Sequence, residues 1–410
     1  MAEAELDPFE EFNKSMGAGT VSNPYPAFVA MRAEGISTTD VRQLLGLDPD
    51  APLGFDEGDV PALFTVSSYD AVQEVLRDGV RFSSKGYAEV MGAVMGHTIL
   101  EMDEPEHHAY RSLIQQAFSR KAMEAWETEL VEPIVDECID AFIDTGRADL
   151  VNQLFFPFPV NVIAGLLGLP REDLPKFHRW TVELISVSID MDKALGASKS
   201  LEDYLTTFIH ERRGSPGRDM ISVLAHAEHD GQRLTDAEII AFCRLLLPAG
   251  AETTYRSSSN LFYGLLTHTD QLDAVRADRS LIPQAIEEGL RWEPPLLTIM
   301  RTTTAPTTVT GVDLPANAML VVNMGAANHD ERRWERSDEF DIFRQQTAHV
   351  AFASGPHMCL GMHLARMETK VVINRVLDRL PNVRIDPDAE PPYITGMTFR
   401  APPSLPVVFG

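Results

Sequence analysis

The chain has 410 residues, which at about 150 residues per domain allows two or three units or one large one. Hydrophobic residues make up 44% and charged residues 23%, apolar content enough to bury a core, which excludes disorder for most of the length. Lys and Arg number 35 against 61 Asp and Glu, a net charge of −26, which makes nucleic-acid backbones and anionic membrane surfaces poor partners.

The N-terminus, Met1-Ala2-Glu3-Ala4-Glu5-Leu6-Asp7, is acidic and lacks the basic start and apolar run of a secretory signal. Cys138, Cys243 and Cys359 are too few for a disulfide framework or a repeated zinc pattern. Both features suggest a reducing cytoplasm. Phe64-Thr65-Val66 reads as a short strand. From Leu113 through Phe142, and again from Asp203 to Arg213, apolar residues recur at the helical period. The most apolar run, Leu154 to Pro170, contains Pro157, Pro159 and Asn161 and falls short of about 20 clean residues, so no membrane anchor is expected. No repeat or Gly/Ser linker divides the chain. The expectation is a mainly α fold with minor β sheet, one unit over 1–410 with a short N-terminal segment 1–22.

The next element is the most informative. Thr235-Asp236-Ala237-Glu238 has the pattern of a capping box. Apolar residues follow through Ile239, Ile240, Phe242, Leu245, Leu246 and Leu247 and resume at Leu261, Phe262, Leu265 and Leu266. One continuous helix here would be on the order of 50 Å long. Pro248 removes a backbone N–H from its middle, Gly250 loosens it, and Glu252, Thr253 and Thr254 put polar groups where the rod should be buried. Two readings stand: a kinked core helix whose polar groups reach solvent, or a notch where a carbonyl, a hydroxyl and a carboxylate gather beside a ligand.

Glu288-Gly289-Leu290-Arg291 places a carboxylate and a guanidinium at i, i+3, which taken alone is an ordinary surface pair. Thr308-Val309-Thr310, Val312 to Asn317 and Met319-Leu320-Val321-Val322 read as a small hairpin. Phe352-Ala353-Ser354-Gly355-Pro356-His357-Met358-Cys359-Leu360-Gly361 is a loop of small residues before an amphipathic helix through Leu364, Met367, Val371 and Ile373. Near a helix N-terminus the Cys359 thiol should be acidified. A buried inert cysteine is the plain alternative. One thiolate cannot complete a zinc site, but it suffices as the axial ligand of a haem.

These three features, in this order, resemble the cytochromes P450 in their soluble bacterial form. The Cys359 loop is similar to the family's haem-thiolate signature at Phe352, Gly355, His357, Cys359 and Gly361, with Ala353 standing where the family usually has Gly. Ala249-Gly250-Ala251-Glu252-Thr253-Thr254 resembles the oxygen-activation motif. Glu288 and Arg291 match the family's Glu-x-x-Arg pair, which implies a buried structural role in place of a surface one. Asp103-Glu104-Pro105-Glu106-His107 with Arg111 resembles the segment that meets the haem propionates. The likeness runs from about Asn23 to Phe409.

The resemblance implies a P450 fold with haem b (iron protoporphyrin IX) held between the long helix and the Cys-loop helix. It implies Cys359 as the iron ligand, with His107, Arg111, Ala249, Arg301, Phe352, His357 and Gly361 around the cofactor. Glu252 and Thr253 become the acid–alcohol pair that delivers protons during oxygen activation. Substrate contacts are expected at Val90, Val94, Leu184, Val187, Leu296, Leu297, Ile299 and Met397, an apolar set suited to a hydrophobic small molecule. The small-residue stretch from Gly86 to His97 is expected to be a mobile substrate-access loop. No flavin or iron–sulfur domain is fused, so electrons from NAD(P)H are expected through ferredoxin reductase and ferredoxin, docked on Arg111, Arg120, Lys121 and Arg366. A ligand-binding sensor or carrier without turnover, and a peroxide-driven oxygenase, are the alternatives. The intact Glu252–Thr253 pair argues against both.

Overall fold

Hydroxyl and carboxylate caps open several of the helices. Ser68 accepts from the Ala71 N–H and Asp219 from the Ser222 N–H. A computed structural model describes residues 14, 19–39, 62–185 and 190–410. The helices that build the site are α1 (Tyr25–Glu34), α2 (Tyr69–Arg77), α3 (Gly86–Met95), α4 (Glu106–Ile114), α5 (Pro157–Leu167), α6 (Leu174–Ile185), α7 (Met191–Gly214), α8 (Asp236–Thr267), α9 (Ile282–Trp292) and α10 (Met362–Arg379).

The expected long helix is α8. Its 32 residues span about 48 Å at 1.5 Å per residue, and Pro248 lies inside it without ending it. The capping box forms: Glu238 N–H donates to Thr235 Oγ1 at 3.3 Å and Thr235 N–H donates to Glu238 Oε2 at 2.6 Å. Gly250 has a packing reason, since a Cβ there would stand 2.6 Å from Ile163 Cδ1 of α5. α8 packs on α5, α7, α9 and α10 and runs through the main apolar core.

The helical stretch expected from Leu113 to Phe142 is broken into pieces. After α4 come a 3₁₀ turn (Gln115–Phe118), a short helix (Arg120–Trp126), a π turn (Glu127–Val131) and a further helix (Glu132–Asp140). Ser119 caps the second piece and Pro133 sits in the first turn of the last. Apolar spacing is blind to both interruptions.

The larger sheet joins β1 (Ile36–Ser37), β2 (Leu63–Val66), β3 (Phe82–Ser83), β4 (Thr298–Thr303) and β5 (Met319–Asn323) in the order β1-β2-β5-β4-β3. β5 pairs parallel with β2, Met319 opposite Leu63, and antiparallel with β4, Leu320 opposite Arg301. The expected hairpin is therefore smaller than its sequence suggested. Thr307–Val309 pairs with Val312–Leu314 about Thr310 and Gly311, at φ of 45° and 86°, which suits a tight two-residue turn. The run from Met319 leaves it for the sheet, where Leu320, Val321 and Val322 are buried. Among the described residues no helix is long and apolar enough to cross a membrane.

Candidate active site

The Cys359 loop is folded by its own backbone. Cys359 N–H donates to the Phe352 carbonyl at 2.9 Å, Met358 N–H to Gly355 at 3.1 Å, and Ala353 N–H to Val350 at 2.8 Å. Gly355 is required: its φ is 73° and a Cβ would lie 2.4 Å from the Leu76 carbonyl oxygen of α2. Ala353 adopts φ 58°, the left-handed region where its methyl is strained and a glycine is not. Cys359 precedes the N-cap of α10, Gly361, whose N–H reaches the sulfur. The acidified thiol expected from this position is not what the surroundings produce. Burial pushes the Cys359 thiol up, while the Gly361 N–H and the charges of Arg111 and Arg366 pull it down without cancelling that rise. The residue is nevertheless exposed.

Two residues back, the His357 ring lies 4.1 Å from that of His107 on α4. His357 Nε2 meets Ser84 Oγ at 3.2 Å and His107 Nδ1 meets Glu104 Oε1 at 3.1 Å. His107 Nε2 is buried with no hydrogen-bond partner among the described residues. Burial, helped by Arg301, His107 and Arg111, pushes His357 down to about 3, and burial likewise lowers His107. Burial thus favours the neutral form of both imidazoles, and the positive charge of this cluster resides on the two arginines. Arg301, on β4, is buried; it donates to the neighbouring Met300 carbonyl at 2.7 Å, and it forms no ion pair among the described residues. Arg111 donates to the Met358 carbonyl at 2.7 Å. A buried arginine whose nearest carboxylate, Asp103, acts on it only from beyond ion-pair distance among the described residues, beside an orphaned imidazole, is a site that suits an anion. This donor set fits the propionates of haem b, with a thiol close by for the iron. Tyr87, whose hydroxyl accepts the Met300 N–H at 2.9 Å close to Arg301, belongs to the same cluster and was not anticipated.

The notch of α8 also forms. Thr253 Oγ1 donates to the Ala249 carbonyl at 2.7 Å. Glu252 is buried, against the reading of a kinked core helix whose polar groups reach solvent. Arg256, one turn on, donates to its Oε2 from Nε at 3.2 Å and from Nη2 at 3.0 Å, and both side chains are 4% exposed. Burial raises the Glu252 carboxyl above the usual range and Arg256 pulls it back. Thr254 reaches the other way, donating to Glu368 Oε2 of α10 at 3.4 Å. Glu368 Oε1 has no partner among the described residues, and burial raises this carboxyl to about 8. Neither Arg256 nor Glu368 was expected at the site.

Glu288 and Arg291 form a buried, bidentate pair, with both bonds at 2.8 Å. Arg291 also donates to the carbonyls of Asn328, Ser337 and Glu339. This is the structural role implied by the resemblance, and the surface-pair reading is overturned by burial. The expected substrate contacts scatter. Val94 and Leu184 are buried in the main core and Leu296 bridges to Phe399. Ile299 packs on the cluster beneath the larger sheet. Leu297 and Met397 pack instead with Tyr25, Phe28 and Met31 under α1, because Leu297 is drawn onto Gly325 and into that cluster. Val187 and the Val90 side chain lie outside the described residues. The expected access loop contains a regular helix, α3.

On the loop's other side a cavity of about 320 Å³ is lined by Glu287, His349, Phe352, Met358, Met362 and Arg366. Arg366 is not free for a partner. It grips Glu287 at 2.6 and 2.9 Å and lies over the Phe352 ring. Arg120 is exposed, paired with Glu124 on its own helix, and Lys121 is exposed beside it.

The sequence model of the family described as Cytochrome P450 matches residues 184–405. The cytochrome P450 monooxygenase PikC of Streptomyces venezuelae is 34% identical over 385 residues, 91% of this chain and 87% of that protein. A steroid C26-monooxygenase of Mycolicibacterium smegmatis is 35% identical over 353 residues, covering 85% and 88%. The crystal structure of CYP109E1 from Bacillus megaterium in complex with testosterone superposes with a TM-score of 0.83 at 32% identity, covering 95% of this chain and 99% of that one. With a thiol-bearing loop beneath a long notched helix, and kinship that spans nearly all of its length, the chain belongs to the cytochrome P450 family of monooxygenases, oxidoreductases whose cofactor is haem b.

Proposed function

We propose that this protein inserts one oxygen atom from O2 into a hydrophobic small molecule, by hydroxylation or epoxidation. In this reading electrons come from NAD(P)H through ferredoxin reductase and ferredoxin, in the cytoplasm, and residues 1–410 act as one P450 domain. The observation that carries the reading is the exposed Cys359 in one loop cluster with Arg301, which forms no ion pair among the described residues, and the orphaned His107 nitrogen. Bound haem b supplies the iron centre at which oxygen is activated. Cys359 would ligate the iron. Arg111, Arg301, His107 and His357 would receive the propionates, with Ala249, Phe352 and Gly361 against the ring. Thr253 spends its own proton on the Ala249 carbonyl, which leaves its oxygen to accept a hydrogen bond. Glu252 Oε2 would carry protons from solvent into the notch. The buried apolar residues around α8 would keep stray water out.

Steroid-sized polycyclic compounds head the list of substrates to screen, since one relative is named for steroid oxidation and a structural neighbour is described with testosterone. Arg120 and Lys121, both exposed, are proposed as the charged part of a ferredoxin dock. The deciding experiment has two parts. The reduced protein under carbon monoxide should show the red-shifted Soret band of a thiolate-ligated haem, and NAD(P)H-dependent product should form with a surrogate ferredoxin and reductase. Absence of that band removes the haem-thiolate reading. Reduction rates that keep their salt dependence after charge reversal at Arg120 and Lys121 would remove the dock alone.

A further inference from the structure

α3 lies along the site: Tyr87 in its first turn stands close to Arg301, and the helix packs on β4, α7 and α8. Its far end is tied down. Ser198 Oγ of α7 donates to the Val94 carbonyl at 2.6 Å, and Gly96, at φ 83°, turns the chain out of the helix. The next residue, His97, has both ring nitrogens on carboxylates. Nδ1 meets Glu101 Oε1 at 2.6 Å, and Nε2 meets Oε1 of Glu106, the first residue of α4, at 2.8 Å. A neutral imidazole has one N–H and can serve only one of two acceptors, whereas the imidazolium serves both. Two carboxylates on one ring therefore call for the charged form. Glu106, against the opposing pull of burial and with help from Glu101, holds the ring's pKa above its ordinary 6.5.

The two arms of this bridge are unequal. Glu106 is exposed, while Glu101 is buried with Oε2 against α3, where a Cβ on Gly92 would stand 3.9 Å from it. The other charges on the elements around α3 are already placed. Arg244 of α8 passes close to Gly96 but donates to the Ser198 carbonyl and to Glu202 of α7. Lys199 of α7 pairs with Glu202 and Asp203, and Arg301 of β4 stands by Tyr87 at the opposite end of the helix. Among the described residues none of them pairs with Glu101, so a neutral His97 would leave that carboxylate buried without a cation.

We propose that His97 is a proton-dependent latch: its imidazolium, shared between Glu101 and Glu106, holds the end of α3 against α4, and when the proton passes to solvent water the Glu106 arm lets go and the end of α3 lifts from the site. The latch belongs to the chain itself, while its effect on entry to the haem rests on the function proposed above. Because the folded value is raised, the latch is fully closed below 6.5 and opens as pH rises through the folded value. Entry of a bulky molecule is then slow in weakly acidic solution and faster in weakly alkaline solution.

The test compares wild type with His97→Gln, both haem-loaded, from about pH 6 to about pH 9. Nitrogen NMR of the ferrous carbon monoxide form, labelled at histidine, should show both His97 ring nitrogens protonated at the acid end and one at the alkaline end. Hydrogen exchange of the peptide covering α3 and the turn to Glu101, referred to unfolded-chain rates at each pH, should quicken about fivefold over that range, the size of a half-exposed ion pair. His97→Gln should exchange fast throughout. Peptides from α9 should be unchanged in both proteins, which separates the latch from global loosening. The association rate of 4-phenylpyridine with the ferric haem, read at the Soret band, should rise with pH by a similar factor in wild type and be fast and flat in the variant. A ring that stays neutral over the whole range overturns the proposal, and so does α3 exchange that His97→Gln leaves unaltered. An entry rate independent of pH in a protein whose exchange does change also overturns it, since the latch would then gate nothing. If His97→Gln does not fold, Glu106→Gln, which removes only the exposed arm, takes its place. Failure of the carbon monoxide spectrum would strike the haem-thiolate reading, whereas hydrogen exchange reports on the latch itself.

Discussion

Two buried Glu–Arg pairs lie on neighbouring helices, Glu288–Arg291 on α9 and Glu252–Arg256 on α8, and their surroundings differ. Arg291 forks onto both oxygens of Glu288 and spends its remaining donors on three carbonyls, while Glu288 also accepts the Asp341 N–H. The α8 pair puts two N–H groups on one oxygen and lies against aromatic rings, and on the same helix Ser258 Oγ, like Glu368 Oε1 opposite Thr254, has no partner among the described residues. A fully satisfied network fixes structure, while a partly satisfied one holds groups whose protonation can change. The first region is scaffold, and the second is where the proposed function puts its proton chemistry.

The largest expected effect tests the scaffold. Arg291→Ala leaves Glu288 buried with only the Asp341 N–H and the Arg344 guanidinium at 3.4 Å to meet it, which should cost about 3–5 kcal/mol of stability, measured by urea unfolding. If the loss is below ~1 kcal/mol, the size expected of a surface pair, the contrast between the regions fails. The next effect belongs to the notch. Glu368 is raised from its ordinary 4.5 to about 8, so between those values the folded protein binds the extra proton. Stability should therefore fall as pH rises from 4.5 toward about 8 and level off above, by an amount on the order of a few kcal/mol. Glu368→Gln should flatten that slope, and an unchanged slope would assign the titration to another group.

Thr253→Ala should leave NAD(P)H consumption running while product per electron pair falls, by about 10²-fold if the hydroxyl positions the transferred proton. Product and consumption measured together would separate this from simple inactivation. The smallest effect joins the two regions at the Cys loop. Ala353→Gly relieves a left-handed alanine and should gain about 0.5–1 kcal/mol, the strain removed less the added freedom of the unfolded chain. A drop in melting temperature would mean that the methyl packs better than its backbone angle suggests.

Much of this was legible in the sequence where the signal is local. The capping box at Thr235 and Glu238, the length of α8 and the Cys359 loop all rest on neighbours within a few positions. Arg256 could have been found the same way, since it stands four residues after Glu252. Glu368 could have been found too. It follows Leu364 by four residues and precedes Val371 by three, which puts it on the apolar stripe of α10, where a carboxylate should not be free. Distant partners were harder. Nothing near Arg291 announces the carbonyls of Asn328, Ser337 and Glu339, and its pair read as superficial for that reason. Leu297 and Met397 looked like pocket walls until α1 supplied Tyr25, Phe28 and Met31 to cover them. The breaks after Ile114 were hidden because 3₁₀ and π turns keep nearly the same apolar spacing as the α-helix.

The strand order of the larger sheet bears on how the chain is made. β5 lies between β2 and β4, yet it is synthesised long after β2. Until Met319–Asn323 leaves the ribosome, the Leu63–Val66 edge has no partner on that side, and an unpaired edge is a template for strand exchange with another nascent chain. Slow translation through the middle of the message would prolong that exposure, and a product ending before Met319 could never cover it. Yield of soluble protein should therefore depend on chaperone supply during synthesis more than on the stability of the finished fold.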